Sequence, residues 1–303
     1  MDDKKGLRLV LLTAIISGFS VFLNRFGVSG MNSYVFVWLK NSVVAVLLAS
    51  LLLSLKRINI LKKLTRSQWS RLILIGLVGG SVPFLLFFRG LQIGNAVSAA
   101  FIHKTMFIWV ALLSMIILRQ KLSKKLIVPA GLILLGNLLV MQLGSFSIGT
   151  GEIMILAATL LWSAETLISK RLLEEVESNI IAFGRMFFGS LFVLAFLVLS
   201  SNIYSITALG IAHYGWVVVT SILLLGYVIT WYNGLKNTDA VAATSVLLLG
   251  SPITTLLNFV FVEQMVAPVE IAGIVILIVG VGSAFVVLRS SKSAQRISTA
   301  NPR

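Results

Sequence analysis

Apolar residues run through this chain in stretches of about twenty, separated by short polar, basic or glycine-containing turns. A helix of that length crosses a hydrocarbon core of about 30 Å at about 1.5 Å per residue. Ten such stretches are present, at roughly 7–27, 33–55, 69–92, 95–118, 124–143, 152–171, 179–200, 214–235, 240–262 and 267–289. Lipid offers no partner for an unpaired N–H or C=O, so each is expected to be helical. The first is too long for a cleavable signal peptide, lacks a small-x-small cleavage site and leads straight into the next span. The pattern predicts an all-α membrane protein of ten transmembrane helices.

The hydrophobic pattern also repeats. At an offset of 144–145 residues, Gly90-Leu91 falls on Gly234-Leu235 and Ala96-Val97-x-Ala99 on Ala240-Val241-x-Ala243. Gln120 falls on Gln264, Gly136 on Gly280, and Lys40 on Arg185. Five helices per copy is an odd number, so the second copy starts on the opposite side of the membrane. The expectation is two inverted five-helix repeats, residues 1–145 and 146–290, followed by a basic, disordered cytoplasmic tail at 291–303. Inverted repeats are typical of secondary transporters, which bind near the midplane and alternate between two accesses.

Composition agrees. Apolar residues make up 58% of the 303 and charged residues only 12%, well under the roughly 25% of a soluble domain. The net charge of +15 suggests nucleic acid only until its distribution is read. Most basic residues fall in the N-terminal segment, the even-numbered connections and the C-terminal tail, and only Arg25 and Arg89 fall at the other side. This is the positive-inside pattern, which places both termini in the cytoplasm of a cell (inner) membrane protein and argues against a nucleic-acid partner. There is no cysteine. No metal-ligand spacing or catalytic constellation is legible, so no cofactor, metal or enzymatic activity is expected. An intramembrane lipid-modifying enzyme and a passive channel are the alternatives to a transporter. The first lacks an activated nucleophile pair, and the second lacks a repeated polar ring or filter.

Several local motifs carry a family resemblance. They are Trp162-Ser163 in span six, Arg185-Met186-Phe187 in span seven, Gly234-Leu235 closing span eight and Ala240-Val241-Ala242-Ala243 opening span nine. Pro252 lies inside span nine, and Glu263 precedes Gly273 and Gly280 of span ten. Over residues 7–289 the chain resembles ten-helix members of the drug/metabolite transporter superfamily that carry two EamA domains. The first half departs from that pattern: Lys40 replaces the usual arginine, Arg119 stands where glutamate is common, and span four lacks a proline matching Pro252. The resemblance implies a central cavity lined by spans one to four and six to nine, with export the commoner direction. It leaves the cargo open among amino acids, other metabolites, nucleotide sugars and sugar phosphates.

Three basic residues lie inside the spans, Lys40, Lys104 and Arg185, against one acid at comparable depth, Glu165. A charge there costs roughly 2.5–3.5 kcal/mol even on the lenient insertion scale, so such residues mark sites or ion pairs. The surplus is positive, which suggests a small anionic or zwitterionic cargo. Lys104 is read as a cavity-facing point charge, or else as a lysine held by helix carbonyls or by Glu165. A lysine at this depth of span four also resembles one used for phosphate in the sugar-phosphate branch, although the basic pair of that branch in span nine is missing here. His103 can bond cargo, couple a proton, or be a satisfied neutral histidine. Glu165 and Arg185 share a depth and are expected to form a buried ion pair or gate. Applying the repeat offset gives Ser20 and Lys40, where the acid is missing, so Lys40 is either a second anion site or a snorkelling lysine. Trp162, Ser163, Tyr227, Trp231 and Asn258 are further candidates for cargo contact, as is Asn24; packing, anchoring and interhelical bonding are the alternatives. Pro252 and Pro83, the latter with Gly79-Gly80, are candidate hinges. The sequence gives no oligomeric state.

Overall fold

A computed structural model of the protein describes residues 3–28, 30–94, 96–117, 125, 127–140, 148–263 and 267–300. Span one is α1 (Asp3–Val28) and span two is α2 (Ser33–Ser54). A short helix, α3 (Ile58–Leu61), precedes span three, which is split into α4 (Arg66–Gly80) and α5 (Val82–Ile93). Span four is likewise split into α6 (Ala96–Lys104) and α7 (Met106–Ile117), and span five is α8 (Ile127–Val140). The second half comprises α9 (Thr150–Leu172), α10 (Ser178–Leu199), a 3₁₀ segment (Asn202–Ala208) and α11 (Ile211–Asn237). Span nine is α12 (Ala240–Leu247) and α13 (Gly250–Asn258), which loosens into a π-helical turn at Phe259–Glu263. Span ten is α14 (Pro268–Ala300), which runs as helix into the stretch read as a tail. The junction expected between 145 and 146 lies outside the described residues. Seven of these segments are long and apolar enough to cross a bilayer, and three shorter apolar helices fill the remaining places.

Capping accounts for several helix starts. Asn32 accepts from the backbone N–H groups of Tyr34 and Val35, and Asp239 from those of Val241 and Ala242. Thr65 and Gln68 form a reciprocal capping box at the head of α4. The breaks inside spans have local causes too. Span three turns at Ser81 (φ −129°, ψ −84°), and Pro83 sits in the first turn of α5, where its missing N–H costs no helical bond. Pro252 occupies the equivalent early position in α13, just after the break at Leu248–Leu249. In span four the chain breaks at Thr105, whose hydroxyl bonds the Ile102 carbonyl and accepts from Trp109 Nε1. Thr105 and Leu249 are 144 residues apart, so both copies break their fourth span at the same place, with or without a proline.

The connections alternate between two faces. On one, Arg57 pairs with Glu177 and Arg71 with Glu175, both at 2.8 Å, and Lys170 reaches the α11–α12 connection. We call this the basic face. On the opposite face Asn32 bonds Asn202 at 2.9 Å, and Gly94 abuts Gly151.

Helix packing follows the repeat as well. A Cβ on Gly90 would lie 2.7 Å from the Gly151 carbonyl, where α5 crosses α9; a Cβ on Gly234 would lie 3.1 Å from the Gly6 carbonyl, where α11 crosses α1. Gly90 and Gly234, and Gly6 and Gly151, are the same two positions of the repeat. Glycines let backbones touch where lipid provides no hydrophobic drive to associate. Helices α8 and α14 pack against each other through Gly136, Gly273 and Gly280, away from the centre.

Candidate functional site

A helix end leaves its last carbonyls without intrahelical partners, and the break at Ser81 places such an end in the middle of the bundle. The Gly79 carbonyl accepts from Arg185 Nη2 (3.1 Å) and from Trp162 Nε1 (3.0 Å), and the Gly80 carbonyl from Asn41 (2.7 Å). Gly79 and Gly80 are therefore contact glycines more than loosening ones. A Cβ on Gly79 would lie 2.4 Å from Glu165 Cγ, and one on Gly80 would lie 2.2 Å from the Arg185 carbonyl.

The expected direct pair between Glu165 and Arg185 is not formed. Tyr232 stands between them, donating to Glu165 Oε1 at 2.6 Å and accepting from Arg185 Nη1 at 3.4 Å. Ser169 gives the same carboxylate oxygen a second hydrogen bond at 2.6 Å. The guanidinium also lies 5.9 Å from the Phe84 ring centroid and 6.0 Å from that of Tyr232. Arg185 is thus held by a hydroxyl, a carbonyl and two rings, with the compensating carboxylate one residue removed. Its Nε is buried without an acceptor.

Lys40 is 4% exposed, which excludes snorkelling to the interface. Its ammonium donates to Asn24 Oδ1 at 2.8 Å and lies 4.9 Å from the Phe36 ring centroid. Asn24 in turn donates to Ser20 at 3.2 Å. Asn24, read as a cargo contact, is committed to the lysine.

Lys104 differs from both. It is the last residue of α6, next to the Thr105 break, where carbonyls and the helix dipole favour a cation. It is half-buried, and among the described residues it makes no hydrogen bond or ion pair. Neither Glu165 nor a helix carbonyl holds it. His103 is packed edge-on against Phe87 and Trp162, each 5.1 Å between centroids, and its Nδ1 is buried with no partner. Phe84, Phe87 and Trp162 complete an aromatic group between α5, α6 and α9.

The remaining candidates divide. Ser163 is fully buried, donates to the Thr159 carbonyl at 2.7 Å and lies 3.4 Å from that of Met106. It is interhelical glue. Trp231 is 2% exposed and stacks on the less buried Tyr227 at 6.3 Å. Asn258 ends α13 and makes no hydrogen bond among the described residues. Pro83 and Pro252 both stand just beyond span breaks. The sequence reading missed Tyr232 as the bridge, although it stands next to Trp231 near the end of span eight.

On the basic face, Lys170 donates to the carbonyls of Leu235 (2.6 Å), Lys236 (3.3 Å) and Thr238 (2.7 Å), and Arg171 bonds the Ile117 carbonyl. Hydrogen bonds from Arg71 and Gln68 hold the exposed Glu175 carboxyl below its ordinary pKa.

Known proteins give the same picture. A protein of known crystal structure superposes with a TM-score of 0.77 over 94% of this chain and 98% of its own, at 18% identity, which speaks to the fold. An uncharacterized transporter of Bacillus subtilis, YyaM, is 25% identical over 228 residues, 73% of this chain and 74% of its own. One from Clostridium kluyveri is 23% identical over 299 residues, 91% of this chain and 92% of its own. The EamA-like transporter family matches residues 4–142 and 149–286, so an integral, multi-pass membrane protein built as this one is belongs to that family.

Proposed function

We propose that this chain is a secondary transporter that carries a small anionic or zwitterionic organic solute through the centre of the bundle by alternating access. The positive-inside rule makes the basic face cytoplasmic, and export from it is the direction we assign. The observation that carries the reading is the contrast among the three cations within the spans. Arg185 and Lys40 have internal acceptors, whereas Lys104 has none among the described residues. A cation about nine residues into its span, at the broken midpoint of a helix, is stable there only with water or a cargo anion beside it. Broken helices of this kind form midplane binding sites in transporters. His103 supplies a hydrogen-bonding and titratable group next to it, and so a route for proton coupling. The aromatic group formed by Phe84, Phe87 and Trp162 gives the apolar part of a cargo a surface to lie on.

Transport into proteoliposomes tests this with three probe sets: small carboxylates and phosphomonoesters, zwitterionic amino acids, and quaternary ammonium ions. Uptake confined to the first two sets, and abolished in Lys104→Gln, is the expected result. Uptake of the cations, or uptake unchanged in Lys104→Gln, overturns the anionic reading.

A further inference from the structure

One multiple contact across the basic face has a repeat-related counterpart that is not made among the described residues. Lys170, in the last turn of α9, closes over the end of α11 and the start of α12, taking three carbonyls at 235, 236 and 238. The placement is favourable, because carbonyls at a helix C-terminus are orphaned and attract cations. Through this contact α9 meets α11 and α12 on the basic face.

The repeat offset of 145 carries Lys170 onto Arg25, in the last turn of α1. The offset of 144 carries the three carbonyls onto Leu91, Gln92 and Gly94, at the end of α5. In this structure Arg25 is exposed and makes no hydrogen bond among the described residues. A target of the same kind is present: α5 ends at Ile93, a helix end whose last carbonyls lack intrahelical partners, and the buried Glu152 carboxylate, which accepts from the Gly149 N–H, lies beside Gly94. The glycine crossings beneath are matched in the two copies, so the copies differ at this contact and not in their packing frame.

We propose that Arg25 is the second latch of the transport cycle. When the face opposite the basic one closes, Arg25 docks on the carbonyls at 91, 92 and 94 and on Glu152, and Lys170 lets go of α11. The structure is then the state closed at the basic face, with one latch made and the other open. An arginine suits the role, since its fork of donors can serve several carbonyls and a carboxylate at once. The inference rests on the alternating-access reading above.

The absence of cysteine allows clean spin labelling of introduced pairs. One pair, Val28→Cys with Ile93→Cys, reports the face opposite the basic one. A second, Glu174→Cys with Lys236→Cys, reports the basic face. Distance distributions are collected for each pair alone, with Lys170→Gln, with Arg25→Gln and with Arg25→Lys. Loss of a hydrogen-bonded charged contact shifts a two-state ratio by about tenfold or more. Lys170→Gln is expected to lengthen the basic-face distance and shorten the other by a shift of that size. Arg25→Gln is expected to do the reverse, and Arg25→Lys to restore the wild-type balance. If the two distances interchange in Lys170→Gln but Arg25→Gln changes neither, the latch is wrong and alternating access stands. If neither pair ever shows a second distance, both readings fall.

Discussion

The two repeats build the same polar contact twice and furnish it differently. In each copy the first helix carries a hydrogen bond between residues four apart, Ser20 with Asn24 and Glu165 with Ser169, and the second helix supplies a buried cation, Lys40 or Arg185. In the second copy the cation is surrounded by a bridging hydroxyl, the Gly79 carbonyl and a nearby carboxylate. In the first copy it has one neutral amide and a ring. A cation compensated by a fixed carboxylate is costly to disturb, because removing either partner strands a buried charge. One resting on a neutral acceptor has less to lose. The difference separates a compensated clamp from a lighter contact, and it lies in side-chain chemistry on a common backbone frame.

Breaking the clamp is the severest test of that distinction. Glu165→Leu is expected to lower stability by about 3–5 kcal/mol, read as a large fall in melting temperature in detergent, because it leaves Arg185 uncompensated. The double variant Glu165→Leu with Arg185→Met should recover much of the loss; equal losses in single and double variants would mean the two residues are not coupled. Next in size is Tyr232→Phe, which removes only the hydroxyl between the charges. About 1–3 kcal/mol should be lost, with transport slowed and cargo affinity retained. The first copy should be gentler: Lys40→Met replaces one hydrogen-bonded ammonium with an apolar chain of similar length, at about 1 kcal/mol or less in melting experiments. A loss as large as that of Glu165→Leu would erase the comparison.

The smallest effect is expected outside the membrane, at Glu175. Its folded pKa is depressed by Arg71 and Gln68, so its contribution to stability is present above its unfolded value of roughly 4.3 and is lost as pH falls through the folded pKa. Glu175→Gln should therefore change melting slightly at neutral pH and not at all at strongly acidic pH, with the small difference shrinking further at high salt, because both partners are solvated.

Much of this was legible in the sequence. The spans followed from the length of the apolar runs, since a bilayer permits little else, and the inverted arrangement followed from a fixed offset and an odd helix count. The offset also pointed to Ser20, Lys40, Glu165 and Arg185 as one set. It did not show that Tyr232 separates the acid from the base, because a hydroxyl's reach across three helices depends on crossing geometry. The glycines were visible but read as loosening elements; that Gly79 and Gly80 offer carbonyls to Arg185, Trp162 and Asn41 depends on the break at Ser81, which no proline marks at that residue. The break at Thr105 was hidden for the same reason, and with it the placement of Lys104 at a helix end. Applying the offset to every polar residue would have exposed the pairing of Arg25 with Lys170.

The measurement closest to the central claim is ligand-induced thermal stabilisation of purified protein, compared between wild type and Lys104→Ala. A ligand at about a hundredfold over its dissociation constant stabilises by about 2.7 kcal/mol. Carboxylates, phosphomonoesters or zwitterions are expected to raise the melting temperature of the wild type. Lys104→Ala is expected to fold and lose that shift, while Lys40→Met keeps it. A shift that survives in Lys104→Ala, or one produced by cationic solutes, would contradict the claim.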